Sequence, residues 1–177
     1  MTTVVLALEF HQPFRLRRFS YLDVGADPPS GWFDEALDRE VLERVVEHSY
    51  VPLCDLFERL AARHGERFQI AASFTGTLLD QLEQHAPEVV ERFAALEGLE
   101  VLCETSHHSL ASLFDTDEFR TQVETHRARI ATLFGRAPRT FRNTELITDT
   151  ALIEAVDALG FDTLLVEGAD RLLGRRP

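Results

Sequence analysis

At 177 residues and 45% hydrophobic content the chain can bury a substantial core and fits one domain, which excludes a disordered or fibrous protein. A formal net charge of -12, with all 18 basic residues arginine, argues against nucleic acid and anionic membrane as partners, because both reward Lys and Arg. Cys54 and Cys103 stand far apart, with neither metal-type spacing nor the density of a disulfide framework, so both are expected as packed free thiols.

The N-terminal stretch MTTVVLALEFHQPF has an apolar run too short to span a membrane and no basic segment before it, which predicts a cytoplasmic protein. Within it, Val4 to Phe10 reads as a first strand ending at His11, Gln12 and Pro13. A polar loop with Pro28, Pro29 and Gly31 follows. Asp34 to about Gly65 is helical in pattern, with Leu37, Val41, Leu42, Val45 and Val46 as its apolar stripe, and Pro52 is expected to break or kink it. Phe68 to Phe74 is a second strand closed by Thr75 and Gly76. Thr77 to His85 and Pro87 to Leu96 read as helices, the second with proline in its first turn.

Leu99 to Cys103 is a third strand, opening into Glu104, Thr105, Ser106, His107 and His108. Asp117 to Phe134 carries Phe119, Val123, Ile130 and Leu133 at helical spacing and stops at Gly135. Arg139 to Glu145 is the fourth strand. Thr148 or Asp149 can cap a helix holding Leu152, Ile153, Val156 and Leu159, and Phe161 to Val166 is the fifth strand. This alternation calls for an α/β fold with a parallel sheet and right-handed crossovers.

Strand ends in such a sheet face one side, where sites are built. They contribute His11 and Gln12, then Thr75, then Glu104, His107 and His108, then Asn143 and Glu145, with Glu167 after the fifth strand. Each has a plainer reading. A lone histidine such as His11 is often a hydrogen-bonded core residue, and Glu145 could simply pair with Arg142. Strand alternation places Phe141, Asn143 and Glu145 on one face and Arg142 and Thr144 on the other. Adjacent histidines in an extended segment point oppositely, so His107 and His108 lack the one-turn spacing of zinc sites, and no metal is expected. Trp32 and Phe33 can dock a helix or stack on a sugar. No Gly-rich phosphate loop and no G-x-S-x-G elbow is present, so nucleotide binding and acyl transfer recede and paired-carboxylate chemistry remains.

Three stretches, FHQPFRLRRFSYLDVG, EVLCETSHHSLASL and FRNTELI, together resemble the N-terminal half of glycoside hydrolase family 57, in particular its α-amylase-like members. The resemblance runs over essentially all of residues 1–177. It implies about five of the seven strands of an incomplete (β/α)7 barrel acting on α-glucans or maltooligosaccharides with retention, without a metal or other cofactor. On it, Glu145 matches the catalytic nucleophile. His11 matches the sugar-site histidine, with Gln12 beside it, and Glu104 to His108 match a substrate-contacting motif. The general acid is expected on a later strand, so the chain reads as a fragment lacking that group. A non-catalytic α-glucan-binding or regulatory relative, or half of a split enzyme, is the alternative. Hydrolysis and glucanotransfer are left open, as is the oligomeric state.

Overall fold

A computed structural model describes residues 5–23 and 31–168; Val4, Pro28, Pro29 and the C-terminal residues from 169 onward lie outside the described residues. The elements follow the predicted alternation: β1 (Ala7–Phe10), α1 (Glu35–Val45), α2 (Val51–His64), β2 (Ile70–Phe74), α3 (Gly76–His85), α4 (Pro87–Ala94), β3 (Leu99–Leu102), α5 (Thr116–Phe134), β4 (Thr140–Arg142), α6 (Thr150–Ala158) and β5 (Thr163–Leu165). The pairs β1–β2, β2–β3 and β4–β5 are all parallel. A parallel bridge from Cys103 to Phe141 joins the two groups, so the strands run β1-β2-β3-β4-β5 in space. That order is the winding of a partial barrel.

The helix ends follow from side-chain chemistry. Asp34, Thr75, Asp115 and Asp149 each accept a hydrogen bond from a backbone N–H in the first turn of α1, α3, α5 and α6. Gly135 ends α5 in the left-handed conformation that costs glycine little. The expected break at Pro52 takes another form: Val46–Tyr50 is a π-helical turn joining α1 to α2 without interruption, and Pro52 falls directly after it, in the first turn of α2.

Side chains alternate across the sheet. Leu8, Phe10, Ile70, Ala72, Phe74 and Val101 pack outward beneath the helices in one core cluster, and Cys103, Phe141, Phe119 and Val156 form a second. Phe74 stacks on Phe10 at 4.7 Å and meets Phe93 edge-on at 5.1 Å. The opposite face carries Glu9, Ser73, Glu100, Glu104, Thr140 and Arg142. Two contacts show that these residues face one another: Thr140 Oγ1 donates to Glu100 at 2.5 Å, and Arg142 reaches Glu9 from β4 to β1.

Candidate active site

The inner face ends in a cluster centred on His108. Its Nδ1 lies 3.1 Å from Glu104 Oε2 and 3.2 Å from Glu9 Oε1, and its Nε2 lies 3.5 Å from Glu145 Oε1. The ring stacks on His11 with centroids 4.4 Å apart. His11 is fixed in turn by Nδ1 at 3.1 Å from the Thr75 hydroxyl, the same hydroxyl that caps α3. Gly76 lets this turn lie against the backbone carbonyl of Ser106, a space that any β-carbon would overlap.

The electrostatics divide the stacked pair. The hydrogen bond that His108 gives to Glu104 raises the pKa of His108, burial opposes it, and the charges of Glu104 and Glu9 add to the rise. For His11 burial comes first and lowers the pKa, and the neighbouring charge of His108 lowers it further. The two shifts run in opposite directions, so protonation is favoured at His108 over His11.

Glu104 is 0% exposed, which would be costly for a carboxylate without a partner. Its backbone N–H donates to His126 Nδ1 at 3.3 Å, while His126 Nε2 donates to the Phe74 carbonyl at 2.7 Å. That arrangement requires neutral His126, and burial lowers its pKa accordingly. His126 thus fastens the end of β3 to the end of β2 from within α5. It shares the apolar stripe of Phe119, Val123 and Ile130, and this placement was its only signal in the sequence.

The stretch after β4 departs from the expected strand. Pairing stops at Arg142, and Thr144–Leu146 form a 3₁₀ turn in which Glu145 has φ 55° and Leu146 also φ 55°. Asn143 and Glu145 therefore do not share a strand face. Asn143 is fully buried and donates to Ser112 Oγ at 3.2 Å and to the Ile147 carbonyl at 2.9 Å, holding the turn from beneath. Glu145 is lifted into solvent with its side chain 74% exposed. Among the described residues Arg142 forms no ion pair with Glu145; it grips both oxygens of Glu9 at 2.8 and 2.7 Å.

Of the residues singled out from the sequence, His11, Glu104, His108 and Glu145 come together. Glu9 joins them unforeseen, with a charged residue inside the LALEF strand as its available signal, and Arg142 joins them through Glu9 instead of through Glu145, the partner considered for it. Gln12 turns its side chain to Arg15 at 2.8 Å. His107 is exposed, with Nδ1 2.8 Å from Ser106 Oγ. Trp32 packs on Phe19 at 5.1 Å, and Glu167 is exposed beyond β5. Among the described residues neither Trp32 nor Glu167 has a hydrogen bond, ion pair or ring contact with the cluster. Among the described residues one group has donor atoms within 4.8 Å of one another: Glu9, Glu104 and His108. No described helix is long and apolar enough to cross a membrane.

Residues 5–176 match the family model described as Glycosyl hydrolase family 57. A protein of Methanocaldococcus jannaschii named "Putative alpha-amylase" is 32% identical over 180 residues, covering 98% of this chain and 37% of that protein. The chain thus spans little more than a third of that relative's length. Among solved structures, the 4-alpha-glucanotransferase of Thermococcus litoralis superposes with TM-score 0.73 at 16% identity, covering 97% of this chain and 23% of that one. The alpha-amylase AmyC of Thermotoga maritima gives 0.66 at 14% identity, covering 92% and 39%. At these identities both likenesses bear on the fold alone, and they support the partial barrel.

Proposed function

The chain belongs to glycosyl hydrolase family 57, and from that premise we propose that it is the N-terminal portion of the catalytic barrel of a retaining α-glycosidase or 4-α-glucanotransferase acting on α-glucans, with Glu145 as nucleophile. The observation that carries the reading is the turn at Glu145. The side chain is held at φ 55°, exposed at the carboxyl end of the strands, with His108 beside it at 3.5 Å. Backbone strain of this kind concentrates at functional sites, where it aims a group that relaxed geometry would turn away.

In this mechanism the Glu145 carboxylate attacks the anomeric carbon while the glycosidic oxygen leaves with a proton from a second carboxyl about 5 to 5.5 Å away. The covalent glucosyl ester is then opened by water, giving hydrolysis, or by a sugar hydroxyl, giving transfer, and Glu145 leaves as carboxylate. His11, Glu104 and His108 supply the polar wall against which a glucosyl unit would be oriented. On this reading the general acid belongs to a later strand of the barrel, as the resemblance of the sequence motifs implies.

α-Glucosyl fluoride tests the assignment, because its leaving group needs little protonation. A protein carrying the whole barrel but lacking its general acid should accumulate an adduct that maps to the peptide containing Glu145. A label on Glu104 or Glu167 would overturn the assignment. For the 177-residue chain itself, calorimetric titration with maltoheptaose should show weak binding, and a folded sample giving no response at tens of millimolar would count against α-glucan recognition.

A further inference from the structure

We propose that His126 is a positioning residue of the site: its ring stands in the ladder between β2 and β3 and sets the spacing at which His11 and His108 meet. The strand register carries the inference. β2 and β3 pair in parallel as far as Ser73 and Leu102. One step on, Phe74 faces Cys103, and a continued parallel ladder would run from the Glu104 N–H to the Phe74 carbonyl. His126 takes both of these groups. Its Nδ1 accepts from the Glu104 N–H at 3.3 Å, and its Nε2 donates to the Phe74 carbonyl at 2.7 Å. One backbone hydrogen bond is thus replaced by two, with an imidazole between them.

The parting of the strands is local. On one side β1 still pairs with β2 at Phe10 and Phe74, and the Thr75 N–H donates to the Phe10 carbonyl at 3.0 Å. On the other, the Cys103 N–H donates to the Thr140 carbonyl at 2.9 Å, and the Cys103 carbonyl accepts from the Arg142 N–H at 2.8 Å. Beyond the ring the two chains close again, where Gly76 lies against the Ser106 carbonyl. A frayed sheet end would not reclose, so the gap belongs to the inserted side chain.

Packing does not call for an imidazole at this position. His126 continues the buried stripe of Phe119, Val123 and Ile130 on α5, where an aliphatic side chain would fill the space without polar atoms to satisfy. The two groups it separates lead directly to the stacked pair. Phe74 precedes Thr75, whose hydroxyl meets His11, and the Glu104 carboxylate holds His108. The 4.4 Å stack of these rings therefore depends on how far apart His126 holds the two strand ends.

Nuclear magnetic resonance of the histidine rings tests this without any sugar. In the wild-type chain His126 should show the tautomer with its proton on Nε2, and the ring protons of His11 and His108 should give a mutual cross-relaxation peak. His126→Leu removes both bonds, lets Glu104 and Phe74 pair directly, and should lose that peak. His126→Gln, whose amide offers one acceptor and one donor, should keep it. Where leucine prevents folding, as judged by circular dichroism, His126→Asn takes its place, being too short to reach both partners. A proton on Nδ1 of His126, an unchanged peak in the folded Leu or Asn variant, or a lost peak in folded His126→Gln would each overturn the inference. The variants that lose the peak should also bind maltoheptaose more weakly than His126→Gln. That last expectation rests on the function proposed above, whereas the ring measurements do not, so the two can fail separately.

Discussion

The two faces of the sheet are built from the same strands yet hold opposite contents. Outward residues such as Phe10, Phe74 and Val101 are buried in the apolar cluster under the helices, whereas the inward face gathers Glu9, Glu104, Thr140 and Arg142. Placing three carboxylates near one guanidinium and two imidazoles forgoes the favourable transfer of apolar area that the outer face gains. The contrast assigns stability to one face and chemistry to the other. Substitutions should therefore separate cleanly according to the direction in which a side chain points.

The sharpest break of that contrast is Phe74→Ala. The ring is 1% exposed and packs against Phe10, Phe93 and Phe134, so its removal should cost about 3 to 5 kcal/mol in urea unfolding. A loss below 1 kcal/mol would mean that the outer core repacks freely and that the division is overdrawn.

The inner face should respond more modestly. A double-mutant cycle with Glu9→Gln and Arg142→Met should give a coupling of about 1 to 2 kcal/mol, since the bidentate pair is only partly shielded from water. Additive behaviour would show that the pair is screened and does not brace β1 against β4.

His126 lies between the faces, and pH sharpens its role. Burial holds its pKa in the folded chain below the ordinary 6.5, so the unfolded chain takes up the proton first as pH falls. The stabilisation is complete above about pH 6.5 and is lost progressively below it, with a slope of at most about 1.4 kcal/mol per pH unit. Urea midpoints between pH 7.5 and 5 should show this fall, and His126→Gln should flatten it. An unchanged slope in the variant would place the acid sensitivity elsewhere.

The smallest expected effect has the opposite sign. Glu145→Gly removes a side chain from φ 55° and should stabilise the fold by roughly 0.5 kcal/mol, because glycine adopts that region without strain. If Glu145 is the nucleophile proposed above, a protein carrying the whole barrel should lose turnover on the same substitution. A destabilisation would mean that Glu145 holds the turn together instead of being held by it.

Much of this was legible before any coordinates. Apolar runs of strand length alternating with helical stripes gave the order of elements, because periodicity reflects burial directly. His11, Glu104, His108 and Glu145 were legible as polar residues at strand ends. Glu9 was not singled out, because it looks like an ordinary charge until β1 and β4 face each other across the sheet, and for the same reason Arg142 was weighed only as a partner of its sequence neighbour Glu145. Asn143 was placed on the same face as Glu145 on the assumption that β4 continued. Its amide instead closes a tight turn with Ile147, a local hydrogen bond that strand periodicity does not register.

The sequence by itself determined the α/β alternation, the helix caps and the residue types gathered at one rim, since these rest on local propensity and on spacing of one or two turns. Only the tertiary structure decided that His108 stands among three carboxylates, that Arg142 belongs to Glu9, and that His126 ties β3 to β2. Such pairings join residues up to 133 apart in the chain. They arise from strand order and from which face each side chain occupies, neither of which is written in any local window of residues.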